Sequence, residues 1–417
     1  MKPRLLIGMA CAIALLVAPS SAGAHAALLD ARPSSGTVLR QAPKNLTLAY
    51  DEDVVPQYAR VTVIGARGRN VAGAPQVTGS TVLVPLRHAP KGSYTVRWRM
   101  VASDDGHATE GAFSYGVGAE PQPPGPVSSL DLPVAAEMLA WLQFVGIVLT
   151  GGLLTFRMAR ESRAALGLAA VGAAVGLHAA LFGFLVGAYP IVGGGGLSSF
   201  VNTEIEPIRV GTHLGQAWMA MTFAWLVLLG LIVSAWVYPR QRDRLLAGAG
   251  VLGLAIAFGL SWASHPDSHG TLALIADYIH LLAAALWVGG LLAIGLALRG
   301  VPRSVREDAV RRSIIQFSRL AAPTVAVVAL AGVYLALREL PSVSALVTSG
   351  YGITLLIKAT LAGGALALGG YHRRFVVPRL ASGAPIAAIR RTLMLEVGVL
   401  MTVLALAAVL SQRAPPT

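Results

Sequence analysis

A histidine at the start of a chain offers two metal donors on one residue, its α-amine and its ring nitrogen, and His25 is placed to become such a residue. Ahead of it stand Lys2 and Arg4, an apolar run from Leu5 to Val17, and Ala22-Gly23-Ala24, a small-x-small cleavage signature. The pattern predicts a signal peptide over 1–24 and a mature chain that begins at His25. Downstream, Asp105-Gly106-His107 adds a carboxylate and a second imidazole. One amine, two imidazoles and one carboxylate form a tetragonal nitrogen and oxygen set that suits Cu(II). Zinc is the rival, although it more often takes a compact tetrahedral set. Asp105 and His107 share a face if they lie on a strand, whereas Gly106 equally permits a turn. An Asp-Gly-His triplet alone is an ordinary turn; His25 is what makes it a candidate. The chain has a single cysteine, Cys11, inside the predicted signal segment. Disulfides, thiolate metal sites and cysteine nucleophiles are therefore not expected in the mature protein.

The elements that must position these residues fall into two groups. Residues 25–118 contain period-two runs, Leu46-Thr47-Leu48-Ala49-Tyr50, Arg60-Val61-Thr62-Val63-Ile64 and Tyr94-Thr95-Val96-Arg97-Trp98, separated by Gly- and Pro-containing turns. They predict an all-β domain, a small antiparallel sandwich or barrel, long enough to bury a core without staples. A Pro-rich linker follows over 119–131, with Glu120-Pro121-Gln122-Pro123-Pro124-Gly125-Pro126 as a stiff spacer. The remainder is too apolar for a soluble chain: 55% of all residues are hydrophobic and the mean hydropathy is +0.64. Over 132–411 we expect an all-α domain of eight transmembrane helices, at about 133–156, 165–188, 212–237, 245–263, 272–298, 320–337, 352–371 and 393–411, with 412–417 as a tail.

The formal charge of +13 invites a nucleic-acid reading, but the arginines argue for a membrane. Arg157, Arg160 and Arg163 lie between spans 1 and 2, and Arg240, Arg242 and Arg244 between 3 and 4. Arg299, Arg303, Arg306, Arg311 and Arg312 lie between 5 and 6, and Arg373, Arg374, Arg379, Arg390 and Arg391 between 7 and 8. The opposite connections hold Arg209 and Arg338. The positive-inside bias then predicts both termini outside and the β-domain extracytoplasmic. Basicity is thereby assigned to topology, and no nucleic-acid partner is expected.

At this point the residues reach a resemblance. His25-Ala26-Ala27-Leu28, Leu48-Ala49-Tyr50-Asp51-Glu52-Asp53-Val54, Gly92-Ser93-Tyr94-Thr95-Val96-Arg97-Trp98 and Ser103-Asp104-Asp105-Gly106-His107 together resemble the CopC copper-binding domain. The resemblance implies a Cu(II) site made by the His25 amine and ring, Asp105 and His107, with Glu52 at an acidic position behind the ligands. CopC proteins that also bind Cu(I) use a Met-rich site. Met100 stands alone in this domain, so Cu(II) is the expected cargo. The membrane region resembles the CopD copper-transport family, through His280-Leu281-Leu282-Ala283-Ala284-Ala285-Leu286-Trp287-Val288-Gly289-Gly290 and Tyr351-Gly352-Ile353-Thr354-Leu355-Leu356-Ile357-Lys358. Its motifs are shorter and plainer.

Of six histidines after the linker, five fall on the outer side under the predicted topology. His213, His265, His269 and His280, with Asp277 one helical turn before His280, form a candidate copper path, since ionisable groups in a membrane are costly and tend to be functional. His178 lies in the outer half of span 2. Met219 and Met221, two apart on a helix, point about 200° from each other and suit packing better than one shared site. Lys358 lies close enough to the outer surface to snorkel, and Glu396 lies where Arg390 or Arg391 could pair with it. Neither a phosphate-binding glycine loop nor a nucleophile constellation is present, so neither ATP-driven pumping nor catalysis is expected. The expectation is a multi-pass protein of the bacterial cytoplasmic membrane whose exported domain captures Cu(II) and passes it inward, with copper chaperones as candidate partners and the oligomeric state open. Efflux, tolerance or sequestration would use the same ligands. A membrane haem protein with His178 and His280 as axial ligands, or a copper enzyme with an amino-terminal histidine brace such as oxidative polysaccharide-cleaving enzymes carry, are rivals of another class.

Overall fold

A computed structural model describes residues 27–65, 68–87, 90–103, 108–124, 133–188, 213–262, 270–297, 307–382 and 390–413. By contacts the chain divides into two compact units. One contains the β-domain together with 184–219; the other contains 133–183 and 220–417.

The β-domain is a sandwich of two four-stranded sheets. Strands β1 (Leu28–Arg32), β2 (Val38–Leu39), β3 (Asn45–Tyr50), β4 (Arg60–Gly65), β5 (Gln76–Thr78), β6 (Thr81–Pro85), β7 (Gly92–Val101) and β8 (Ala108–Val117) follow in chain order. The sheet orders are β1-β3-β6-β5 and β2-β8-β7-β4. Period-two patterning does what it predicts: Leu46, Leu48 and Tyr50 of β3 turn inward, as do Val61 and Val63 of β4 and Tyr94 and Val96 of β7. They meet Val82, Val84, Phe113, Tyr115 and Val117 in one core. The pairing is antiparallel apart from β2, which runs parallel to β8. Strand β8 carries little alternation in its first half, because Gly111 replaces a side chain opposite Trp98. A β-carbon at Gly111 would overlap the Trp98 indole. Met100 is fully buried in this core, where its sulfur packs as an apolar atom.

Tyr50 and Tyr115 are buried, and among the described residues their hydroxyls have no hydrogen-bond partner. Burial pushes both phenols well above their usual range. In the unfolded chain they ionise near pH 10; in the fold they stay neutral. Stability is therefore fully present below pH 10 and falls as the pH rises beyond it, by about 1.4 kcal/mol per pH unit for each ring. The melting temperature of the β-domain is expected to drop between pH 9 and 11, and a Tyr50→Phe variant to drop less.

Among the described residues, eight helices are long and apolar enough to cross a membrane. We number them α1 (Pro133–Ile147), α2 (Arg163–Ala188), α3 (His213–Val237), α4 (Arg242–Trp262), α5 (Thr271–Ala297), α6 (Glu307–Glu339), α7 (Gly350–Tyr371) and α8 (Arg390–Ser411). Helix α1 runs on through a π-turn, Val148–Gly152. Helix α5 is central, with more than half of its apolar window buried. It packs along α6, touches α4 and α8, and meets the π-turn, while α8 packs against α1 and α7. Helix α6 has 33 residues, about 50 Å at 1.5 Å per residue, so its first turns overshoot the bilayer core. Arg311 and Arg312 therefore lie on this helix rather than in a connection.

Small residues set the close crossings, as expected where lipid offers no hydrophobic drive between helices. A β-carbon at Gly289 would overlap the Gly152 backbone, and one at Gly152 the Ala285 carbonyl. Trp225 of α3 lies across Gly146 and Gly176 and donates its indole N–H to Gln143 Oε1 at 2.8 Å. Replacing Gly289 with Leu is expected to cost about 3 kcal/mol or more, because backbone cannot move aside as a side chain can. The measurement is the thermal midpoint of the purified protein, and an unchanged midpoint would contradict the crossing.

Candidate metal sites

In the β-domain, two short ladders converge on the segment after β3. The backbone N–H of Ala27 donates to Asp51 Oδ1 at 2.6 Å, and the N–H of Asp51 returns to the Ala27 carbonyl at 3.2 Å. Two residues on, the Ser103 N–H donates to the Asp53 carbonyl at 2.9 Å, and Val55 N–H to the Val101 carbonyl at 2.9 Å. Val54 and Ala102 form a bridge. Residues 51–53 thus tie the start of β1 to the end of β7, with half-buried Glu52 between the two attachment points. His25, Asp105 and His107 lie outside the described residues. Their anchored neighbours are Ala27 on one side and Ser103 and Ala108 on the other.

In the helical unit, Asp277 and His280 share a face of α5 and each finds a partner on another helix. Asp277 lies near Ser261, at the end of α4. Its charge is felt by Lys358 and Tyr351 of α7 and by Glu339 at the end of α6. Lys358 also faces His280. The lysine therefore joins this cluster, where the sequence suggested a side chain reaching for the surface. His280 Nδ1 lies 2.9 Å from the Val328 carbonyl of α6. A carbonyl can only accept, so Nδ1 carries the proton and Nε2 presents its lone pair. Gly332 makes this possible: a β-carbon there would come within 3.0 Å of His280 Cε1. The His280 ring is thus oriented by the Val328 carbonyl and not by Asp277. His265 and His269 lie outside the described residues, as does the side chain of His213. Among the described residues no three His, Asp or Glu side chains are close enough together to hold one ion.

Sequence reasoning missed Ser261, Glu339 and Tyr351. Their signal was a polar residue at the end of an apolar run, with nothing to say which ends meet. His178 is exposed and its Nδ1 lies 2.7 Å from the Ala174 carbonyl of its own helix, the ordinary arrangement of a lone histidine on a helix. Met221 is buried against Gly259 of α4 and serves packing. At the other end of α7, Glu396 pairs with His372.

Comparison with known proteins adds the decisive observation. The family model of the CopC domain matches residues 28–118, and that of copper resistance protein D matches residues 311–410. Copper resistance protein D of Pseudomonas syringae pv. tomato is 30% identical over 227 residues, covering 50% of this chain and 71% of that protein. The chain is a CopC–CopD fusion and belongs to the copper transport and resistance family. This fusion also aligns along nearly its whole length with copper transport protein CutJ of Bacillus subtilis (strain 168), 26% identical over 429 residues, covering 96% of this chain and 76% of that one. Crystalline CopC from Methylosinus trichosporium OB3b is 26% identical, covering 24% of the fusion and all of that chain, with a TM-score of 0.22. The CopC–CopD fusion is thus a multi-pass membrane protein with a β-domain ahead of its helices.

Proposed function

We propose that the protein imports copper: the CopC domain, exported after cleavage at Ala24 and extracytoplasmic by the arginine pattern, captures Cu(II) and releases it to the membrane domain. The capture site consists of the His25 amine and ring, Asp105 and His107. One observation carries it, the tying of Ala27 to Asp51 and of Ser103 to Asp53. His25 and Asp105 are each two residues from these anchors, and two residues reach at most ~7 Å. The ties bring the two ligand-bearing segments onto neighbouring residues, which supports a shared site with Glu52 behind it. With one amine, two imidazoles and a carboxylate, the site is selective for Cu(II) and leaves Cu(I) to softer donors.

In the membrane domain His280 receives the ion on Nε2, its tautomer fixed by the Val328 carbonyl, as metal-binding histidines generally require. Asp277, one helical turn before His280, offers a carboxylate, and Lys358 balances that charge while no cation is present. His213, His265 and His269 supply donors at the mouth. Import is favoured because these groups gather on the outer side, where an importer needs them. In proteoliposomes carrying the purified full chain, external copper is expected to reach an internal chelator, at least about tenfold faster than in protein-free vesicles. Copper movement equal to that of empty vesicles would exclude transport and leave sequestration.

A further inference from the structure

Beyond the outer histidines, the helical unit holds a second polar site that the path described so far does not use. At the end where α7 finishes and α8 begins, a cavity of about 270 Å³ is lined mostly by apolar side chains, Trp287, Phe317 and Leu366 among them. Its polar residues include His372, Glu396 and Arg373. Glu396 is 1% exposed and His372 7%, so both have left water. Arg373 is exposed at the rim and donates to the Ser318 carbonyl at 2.9 Å, so its charge is turned to another partner.

His372 Nδ1 and Glu396 Oε2 are 3.2 Å apart, yet Oε2 makes no properly aligned hydrogen bond among the described residues. The other ring nitrogen, Nε2, lies 2.8 Å from the Thr392 hydroxyl. When Nε2 donates to that hydroxyl, Nδ1 turns a lone pair toward a carboxylate oxygen, an arrangement that calls for a cation between them. The separation suits one. Two donors each about 2.05 Å from a metal ion lie about 2.9 Å apart at a right angle and about 3.4 Å at the tetrahedral angle. A distance of 3.2 Å falls inside this bite.

We infer that His372 Nδ1 and Glu396 Oε2 form an inner station for the transported ion, a nitrogen and oxygen donor site for a divalent copper-class cation at the end of the bundle from which it leaves. The inference rests on the transport reading for the word "leaves"; the binding site stands on the cavity and the pair. Two protein donors hold the ion loosely, as a site of passage must. Water in the cavity can complete its coordination.

The test uses the full chain in lipid nanodiscs on a His25→Ala background, so that the exported site contributes least, with Cu(II) as the probe. Bound copper per chain and the nitrogen couplings in its electron paramagnetic resonance spectrum are read for this background, then with Glu396→Gln or His372→Gln added. The expected result is the loss of one equivalent, or a weakening of it by at least tenfold, with loss of one nitrogen coupling in His372→Gln. Removing one member of a buried pair can also unfold a protein, so the double variant His372→Phe with Glu396→Leu is measured beside them. Replacing both partners by apolar groups keeps such sites folded, and this variant is expected to remain monodisperse while lacking the equivalent. Unchanged copper content and spectra in all three variants would overturn the inference, whether or not the protein transports. Loss of the equivalent in a protein that moves no copper into vesicles would keep the site and remove the transport reading.

Discussion

Substitution of His25 by Ala is expected to weaken Cu(II) binding by the exported domain by more than about 100-fold. The α-amine survives this change, but the ring that closes a chelate with it does not. Loss of a group behind the ligands already costs ~10–100-fold in metal affinity, and a lost ligand with its chelate ring costs more. Among the described residues the buried core is built between Leu46 and Val117, and the thermal midpoint without copper is expected to stay unchanged. This separates lost ligation from lost folding. Binding should also weaken as the pH falls, because the amine and both imidazoles must shed protons before they can donate. Competition titrations against a chelator of known affinity measure both effects. Undiminished affinity in His25→Ala, or tight binding that persists at pH 5, would sink the proposed site.

His280→Ala carries the second large effect: copper movement by the full chain should fall to the level of protein-free vesicles, with Cu(II) capture by the exported domain intact. The ring is fixed by the Val328 carbonyl and given room by Gly332, so its position can be attacked without touching it. Gly332→Leu adds bulk where a β-carbon already comes within 3.0 Å of the ring, and a displacement of about 1 Å is enough to spoil a coordination site. It is expected to lower transport by at least tenfold with His280 still present. Transport that survives both substitutions would mean that copper takes another route. Asp277→Asn should do less harm than His280→Ala, because the amide keeps the size of the side chain and loses only the charge that Lys358 feels.

The sequence was most legible where burial has a period. Strands β3, β4 and β7 announce themselves by alternation, and the eight helices by apolar length. Strand β8 does not, since Gly111 and its polar neighbours erase the alternation on the half that faces Trp98. The first turns of α6 were missed because they are charged and overshoot the apolar run. Contacts that join distant residues left even less trace. Pairing His372 with Glu396 joins two helices across 24 positions, and Glu396 had more obvious partners in Arg390 and Arg391, whose side chains lie outside the described residues. His280 rests on a backbone carbonyl, which no residue type encodes. The proposed ligands of the exported domain are the reverse case: they are read from residue types, spacing and the CopC resemblance, they lie outside the described residues, and the structure contributes the anchoring of their neighbours at Asp51 and Asp53.

The central claim is that the protein brings copper into the cell by way of both sites. It is tested most directly by mass-spectrometric measurement of total cell copper at limiting external copper. A strain lacking the protein would be complemented with the wild type, His25→Ala or His280→Ala. The account predicts that the wild type alone raises cell copper, by several-fold over the other three strains. Lower copper in the wild type than in the null strain would contradict import and make the protein an efflux or tolerance factor.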